Sequence, residues 1–457
     1  MLIVFIWTCV IYIGIVLFQK GAGTLNPCRI NIISLVFYFL LLQTILGALL
    51  TSLGYTKHYT YLRLENPEKF AQLGEIYSVL TFLLFPIIVI IVLKVFKVDP
   101  KKEYDRYLNE KIQVKNSSLY FYITLVASLI SSFFLIVLLK KIGYIPIIKL
   151  FFNGGMDFAL ERNRNVNLMI FGIEQIKNIF VLYAIPILSF ISFSFSLQTK
   201  EIRWKFLFAF LMIESIFVKT YDFSKAPMII YLAIIVLIII YCKGGINYKV
   251  LILTCGVGLS ILVIAYRLLG YSASFLDIYN GILGRTLFTQ FGTLCMHLEC
   301  FTDYVGLLEG KSLYPTVLSV IGMNPESHVR SAEVVMEIYN SEGIYEGNAG
   351  VMNTLFIGEA YANWGIIGII FSIIWVAFVI TVVFILFLKL SKTPITVSFF
   401  AILTQQLTIG IQGGFVDYVY NSNIILTVLC LLILYYCPNI INKIFKGKKY
   451  RRKKCEF

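Results

Sequence analysis

The chain has 457 residues, of which 59% are hydrophobic and only 14% charged, and its mean hydropathy is +0.83. A soluble domain is nearer half apolar and a quarter charged, so these values exclude the two or three soluble domains that length alone would allow. The formal charge of +14 would point to nucleic acid in a soluble protein. Here the basic residues fall between apolar runs, where they set orientation and meet anionic membrane lipids, and no nucleic-acid partner is expected.

The opening Met1-Leu2-Ile3 has no basic n-region, and no small-residue cleavage site follows, so the first apolar run is expected to remain as a helix. Runs able to cross a hydrocarbon core of roughly 30 Å lie at 2–18, 30–53, 75–96, 118–139, 178–197, 205–218, 226–242, 250–266, 364–388, 394–412 and 422–437. The sixth and the last are short for a bilayer. The fold expected is all-α: a polytopic integral membrane protein with about eleven transmembrane helices and a large extracytoplasmic loop, forming a single membrane domain over 1–457.

Basic residues orient it. Lys97, Lys101, Lys102, Arg106, Lys111 and Lys115 follow the third run, and residues 438–457 form a basic tail. Both should be cytoplasmic. Strict alternation then puts the turns carrying Lys20 and Arg29, Lys200 and Arg203, Lys243 and Lys249, and Lys389 and Lys392 on that side too. It leaves the N-terminus outside and the C-terminus inside. The outer segments are a first loop at 140–177, a short turn from Lys219 to Lys225, and a large loop at 267–362. In the large loop, Asn324-Pro325-Glu326-Ser327 reads as a helix start. The run to Tyr339 alternates apolar and charged residues at helical spacing, which predicts an amphipathic helix lying on the outer surface.

Most cysteines lie singly inside apolar runs and behave as small hydrophobes. Cys295 and Cys300 share the large loop and are a candidate disulfide. No CxxC occurs, and His297-Leu298-Glu299 is not joined by cysteines or histidines at zinc-site spacing, so no metal or redox centre is expected. No Walker A loop, G-x-S-x-G elbow, H-E-x-x-H or Rossmann glycine pattern appears.

What remains is a set of charged and aromatic residues in the outer loops. Arg162 and Arg164 follow Gly154-Gly155 and Glu161, Arg267 ends the eighth run, and Arg285 lies beyond it. His328 and Arg330 open the expected amphipathic helix. Glu359 stands just before the ninth run, inside Gly347-Asn348 to Gly358-Glu359-Ala-Tyr361-Ala-Asn363-Trp364-Gly365-Ile-Ile-Gly368. Arginine is always charged and forks onto phosphate oxygens. A carboxylate or histidine at an interface can take a proton from a hydroxyl, and Tyr304, Tyr314, Tyr345 and Tyr361 could stack on sugar faces. Each has a plainer reading: arginines as interfacial anchors, Glu359 as a charge favoured by the helix dipole, Gly365 and Gly368 as helix-packing positions, and tyrosines as an aromatic belt.

With these residues in view, the chain resembles the Wzy-type polymerases of O-antigen and capsule repeat units. The likeness rests on the many-span layout, on Ile145-Pro146 to Asn153-Gly154-Gly155 followed by Glu161-Arg162, on Tyr221-Asp222-Phe-Ser224-Lys225-Ala-Pro227 opening an apolar run, and on the Gly347–Gly368 segment. It implies transfer of a growing glycan from undecaprenyl pyrophosphate to a new lipid-linked repeat unit, at the outer face of the bacterial inner membrane. It implies no cofactor or metal, and a chain-length-determining co-polymerase as partner. By this resemblance Arg162, Arg164, Arg267, Arg285 and Arg330 become pyrophosphate or glycan contacts, joined by Asn348 and Tyr361, and Glu359 and His328 become base candidates. Two other readings stay open: an O-antigen ligase with the same donor, and a lipid-linked oligosaccharide flippase or other transporter. A transporter tends to carry charges within its spans, whereas here the polar residues gather in one loop. A structural or receptor-like protein would make no single outer Arg or Glu essential.

Overall fold

Inside hydrocarbon a backbone can satisfy its own polar groups within one segment only as a helix, and the apolar runs do form helices. A computed structural model describes residues 1–152, 158–268, 277–279, 281–345 and 350–436. Its principal helices are α1 Leu2–Ala22, α2 Ile32–Ser52, α3 Pro67–Val95, α4 Ser117–Ile142, α5 Glu174–Gln198, α6 Ile202–Thr220, α7 Ala226–Lys243, α8 Tyr248–Leu268, α9 Ile282–Glu299, α10 Ser331–Tyr339, α11 Phe356–Lys389, α12 Pro394–Gly410 and α13 at 422–436. Short helices fill the connections. The only extended pairing among the described residues is an isolated bridge between Ile170 and Ile173. The expected basic tail at 438–457 and Asn348 lie outside the described residues.

The chain is an all-α polytopic membrane protein. Among the described residues nine helices are long and apolar enough to cross a membrane. The two other expected spans are helical but fall short: α6 carries Arg203, Lys205, Glu214 and Lys219, and α12 has 17 residues. The helices form two units, and the division falls within α12.

One unit comprises α1, α2, α3, α9, α10, α11 and the last turns of α12 with the turn that follows. Phe18, Phe37, Phe82 and Phe85 meet in its core, with ring centroids 5.3–6.0 Å apart. The sequence placed 267–362 as an outer loop without this segment's main feature. Helix α9 packs against α2, α3 and α11, and from Phe291 to Glu299 every residue is buried. Glycine makes the approach close. A Cβ on Gly47 would lie 2.2 Å from the Leu287 carbonyl oxygen, and one on Gly74 would lie 2.8 Å from Cys295 Sγ. Periodicity missed α9 because Arg285, Gln290, His297 and Glu299 interrupt its apolar run.

Glu299 is fully buried, and its charge is met by three donors: Asn66 N at 2.8 Å, Glu65 N at 3.2 Å and the Tyr339 hydroxyl at 2.6 Å. It thereby ties the start of α3 to α10. Cys295 and Cys300 are buried free thiols, so the candidate disulfide does not form. The amphipathic helix also differs from expectation. Asn324 caps only a 3-10 turn at Pro325–Ser327, the chain then extends through His328 and Arg330, and α10 begins at Ser331. Its face bearing Ala332, Val335 and Met336 is buried against α9 and α11.

The other unit comprises α4 to α8, the first turns of α12, and α13. Its anchor is Trp204, stacked on Phe195 at 4.2 Å, with its indole N–H donating to Ser117 Oγ at 3.0 Å. Ser194 and Ser398 hydroxyls meet at 2.6 Å between α5 and α12.

The α2–α9 contact yields a test. Gly47→Val forces a side chain into the Leu287 backbone and should destabilise the protein by about 1–3 kcal/mol. Gly256→Ala meets nothing within 4 Å and should leave thermal unfolding in detergent unchanged or slightly higher. Equal midpoints for Gly47→Val and wild type would refute the packing described.

Candidate functional site

The densest group of polar side chains grows from a break in α11. Trp364 leaves helical geometry, and Gly365 follows at φ 61° and ψ −143°, a conformation that glycine alone adopts readily. A Cβ on Gly368 would lie 2.1 Å from the Ala360 carbonyl oxygen, so both glycines serve the break rather than contact between separate helices. The turns before the break carry Glu359 and Asn363 one helical turn apart. Asn363 donates to the Glu359 carbonyl at 2.9 Å and to Ser312 Oγ at 2.5 Å, and its own carbonyl accepts from Ser312 N at 3.3 Å. Leu308 and Glu309 donate to the carbonyls of Ala362 and Asn363, so the loop at 308–312 satisfies the open end of this short helix.

Glu359, a base candidate from the sequence, is 4% exposed. Its carboxylate accepts from Val416 N at 3.0 Å. A Cβ on Gly414 (φ +131°) would stand 2.2 Å from Glu359 Oε2, so the backbone of the turn after α12 closes directly over the carboxylate. Phe356 N adds a bond to the Ile411 carbonyl at 2.9 Å. In this position Glu359 holds the turn that covers it.

The turn it holds presents Asp417, which is partly exposed. Asp417 accepts from Asn421 Nδ2 at 3.2 Å and from the Tyr314 hydroxyl at 3.4 Å. Burial, then the carboxylate of Asp417, pushes the Tyr314 phenol above its usual range, with Arg330 acting against them and Glu359 adding to the rise. Tyr314 therefore stays a protonated donor. Its ring lies 6.3 Å from that of His328, at 13°. His328 Nδ1 sits 2.8 Å from the Leu313 carbonyl. A carbonyl only accepts, so Nδ1 carries a proton and Nε2 is the ring nitrogen left to act as a base. Arg330 donates to Asn353 Oδ1 at 3.1 Å and forms no ion pair among the described residues. Leu313, Leu318 and Val416, with Trp364 and Met323 against them, form the apolar floor.

The expected residues thus separate. His328, Arg330 and Glu359 come together. Tyr361 does not join them: its hydroxyl meets Thr302 Oγ1 at 2.7 Å and its ring faces Tyr77 at 6.2 Å. Arg285 is exposed on the first turn of α9, near His58. Burial, and then the Arg285 charge, lower the His58 imidazole to about 4. Arg162, Arg164 and Arg267 belong to the other unit, where the first loop meets the Tyr221–Lys225 turn. There Tyr144 donates to Glu161 at 2.6 Å, Arg164 pairs with Glu161 at 3.5 Å, and Asn165 donates to the Tyr221 carbonyl at 2.8 Å. Lys225 Nζ lies 3.5 Å from the Tyr266 ring centre, beside Arg267. Two segments that the sequence singled out separately are therefore in contact.

Asp417 and Asn353 were missed. A signal existed for Asp417: a lone carboxylate after Gly413-Gly414, in a turn that strict alternation assigns to the same side as the large loop. No group of three or more potential metal ligands occurs among the described residues. The chain matches no protein-family model, no curated protein and no solved structure.

The Glu359 arrangement predicts a split between two variants. Glu359→Gln keeps an acceptor for Val416 N and should cost about 1 kcal/mol or less. Glu359→Ala leaves that N–H unanswered over a cavity and should cost about 2–4 kcal/mol. Thermal unfolding in detergent measures both, and an alanine variant as stable as wild type would show that the carboxylate does not hold the turn.

Proposed function

We propose that this chain is a membrane glycosyltransferase that polymerises oligosaccharide repeat units carried on undecaprenyl pyrophosphate. It would act at the outer face of the bacterial inner membrane, with its N-terminus outside and C-terminus cytoplasmic, alongside a chain-length-determining co-polymerase. The observation that carries the reading is the presence, in one site, of Arg330, which forms no ion pair among the described residues, and of the partly exposed Asp417. Both lie in the electrostatic reach of Tyr314.

Those two groups answer the two demands of the transfer. The acceptor hydroxyl oxygen bonds to the anomeric carbon while the bond from that carbon to the pyrophosphate oxygen breaks. Asp417 takes the hydroxyl proton, as a general base within reach of solvent. Arg330 meets the negative charge that grows on the departing undecaprenyl pyrophosphate, where a fixed cation lowers the barrier most. His328, through Nε2, is the second base candidate. Glu359 acts through the turn it holds and is a positioning residue. Arg162, Arg164, Arg267 and Arg285 are assigned to pyrophosphate or glycan contacts of the lipid-linked units.

Deletion of the gene, with surface glycan resolved on a gel, tests the reaction. A ladder reduced to one attached repeat unit supports polymerisation. Loss of all attached glycan, with polymer left on the lipid carrier, would make the chain a ligase. Single units held on the cytoplasmic side would make it a flippase, and an unchanged ladder would end the proposal. Complementation then tests the residues. Asp417→Asn and Arg330→Ala should each lower long-chain product by about a hundredfold or more, with the protein still present in the membrane. Wild-type ladders from both variants would move the site elsewhere.

A further inference from the structure

A second feature, remote in sequence from the candidate site, lies where α1 and α3 end. Both helices finish at a cavity of about 920 Å³. Four lysines line it, Lys20, Lys94, Lys97 and Lys101, against one acid, Asp99. All four are exposed, and none forms an ion pair among the described residues. Asp99 is already engaged, since its side chain accepts from Lys102 N at 3.0 Å. The opposite wall is apolar, made by Leu17, Ile90 and Leu93 of the two helices.

The backbone is shaped to bring these cations together. Gly23 ends α1 at φ +75°, and a Cβ there would lie 2.6 Å from Lys101 N, so the end of α1 sits directly on the turn after α3. That turn closes α3 with bonds from Lys97 N to the Lys94 carbonyl and from Val98 N to the Leu93 carbonyl. This capping pattern usually takes glycine at its left-handed residue, yet Lys97 holds that place at φ 54°. Lys101 is in the first turn of the Pro100–Asn109 helix, where the helix dipole disfavours a cation and favours an anion. Four gathered like charges, one of them on a strained backbone and one at the wrong helix end, are stabilised by a bound anion.

We propose that this cavity binds the headgroup of an anionic phospholipid, its phosphate among the four lysines and an acyl chain along the partly exposed Leu17 and Ile90. The apolar wall, continuous with two membrane-crossing helices, selects a lipid over a free anion, and the charge excess selects an anionic lipid over a zwitterionic one.

Full-length protein, stripped of lipid in non-ionic detergent, is titrated with phosphatidylglycerol, with phosphatidylcholine of the same chains and with inorganic phosphate. Native mass spectrometry reads the bound fraction. Phosphatidylglycerol should bind at least about fivefold more tightly than phosphatidylcholine, and each lysine removed should weaken it by about fivefold. The triple variant Lys20→Gln, Lys94→Gln, Lys101→Gln should therefore lose nearly all preference for the anionic lipid, and Lys57→Gln, outside the cavity, should lose none. Lys97→Gly supplies a variant that cannot be dismissed as misfolded. It relieves the left-handed backbone, so it should unfold at the same or a higher temperature while binding phosphatidylglycerol about fivefold less. Equal retention of the two lipids, or undiminished phosphatidylglycerol binding in the triple variant, overturns the proposal. So does displacement of phosphatidylglycerol by equimolar inorganic phosphate, which would make the cavity a site for free phosphate.

Discussion

A carboxylate removed from water costs several kcal/mol unless donors replace its hydration, and much of the candidate site follows from how Glu359 meets that demand. A backbone N–H of the turn after α12 donates to it, so the burial of this carboxyl depends on that turn. The turn in turn sets Asp417 beside Tyr314. On the other side of Glu359, the Gly365 break ends the short helix and frees carbonyls that the loop at 308–312 satisfies. That loop leads directly to Tyr314 and to the carbonyl that holds His328. One buried carboxyl thus ties together three segments that lie up to 103 residues apart in sequence.

Glu299 repeats the logic in the same unit. It too is buried, and it too takes backbone N–H groups, from Glu65 and Asn66, together with the Tyr339 hydroxyl. In each case the acid sits on a helix and its backbone donors on a neighbouring turn, a connection that apolar packing alone would leave loose. The arginines behave differently. Arg162, Arg267 and Arg285 are exposed, and Arg330 is steadied by an amide rather than a carboxylate, which leaves its charge available to an anion.

Apolar length made the long helices legible, because a run such as that of α3 or α11 has few other stable states in a bilayer. The same criterion hid α9, whose Gln290, His297 and Glu299 dilute its hydropathy although its neighbours enclose it. Helical spacing found α10 but placed its start six residues early, at Pro325 rather than Ser331: Asn324 and Pro325 do begin a turn, and a 3-10 turn carries the same cap and the same proline. Of the site, the sequence showed the charges His328, Arg330 and Glu359 but not their partition. Whether a carboxylate faces solvent or a backbone N–H depends on a turn more than fifty residues away, which no local pattern encodes. Asp417 went unnoticed because one acid in a short turn between apolar runs has no periodicity to betray it.

The polarity of α9 also bears on how the protein is made. A segment holding Arg285, Gln290, His297 and Glu299 partitions poorly into lipid on its own, so it has no reason to enter the bilayer as it leaves the ribosome. Two of the helices that shelter it, α2 and α3, are synthesised before it, but the third, α11, comes after it. The donors to its Glu299, on Glu65, Asn66 and Tyr339, all precede α11 in the chain, so α11 completes the enclosure by packing alone. The bundle around α9 is therefore complete only when α11, the last of these neighbours to be synthesised, packs against it.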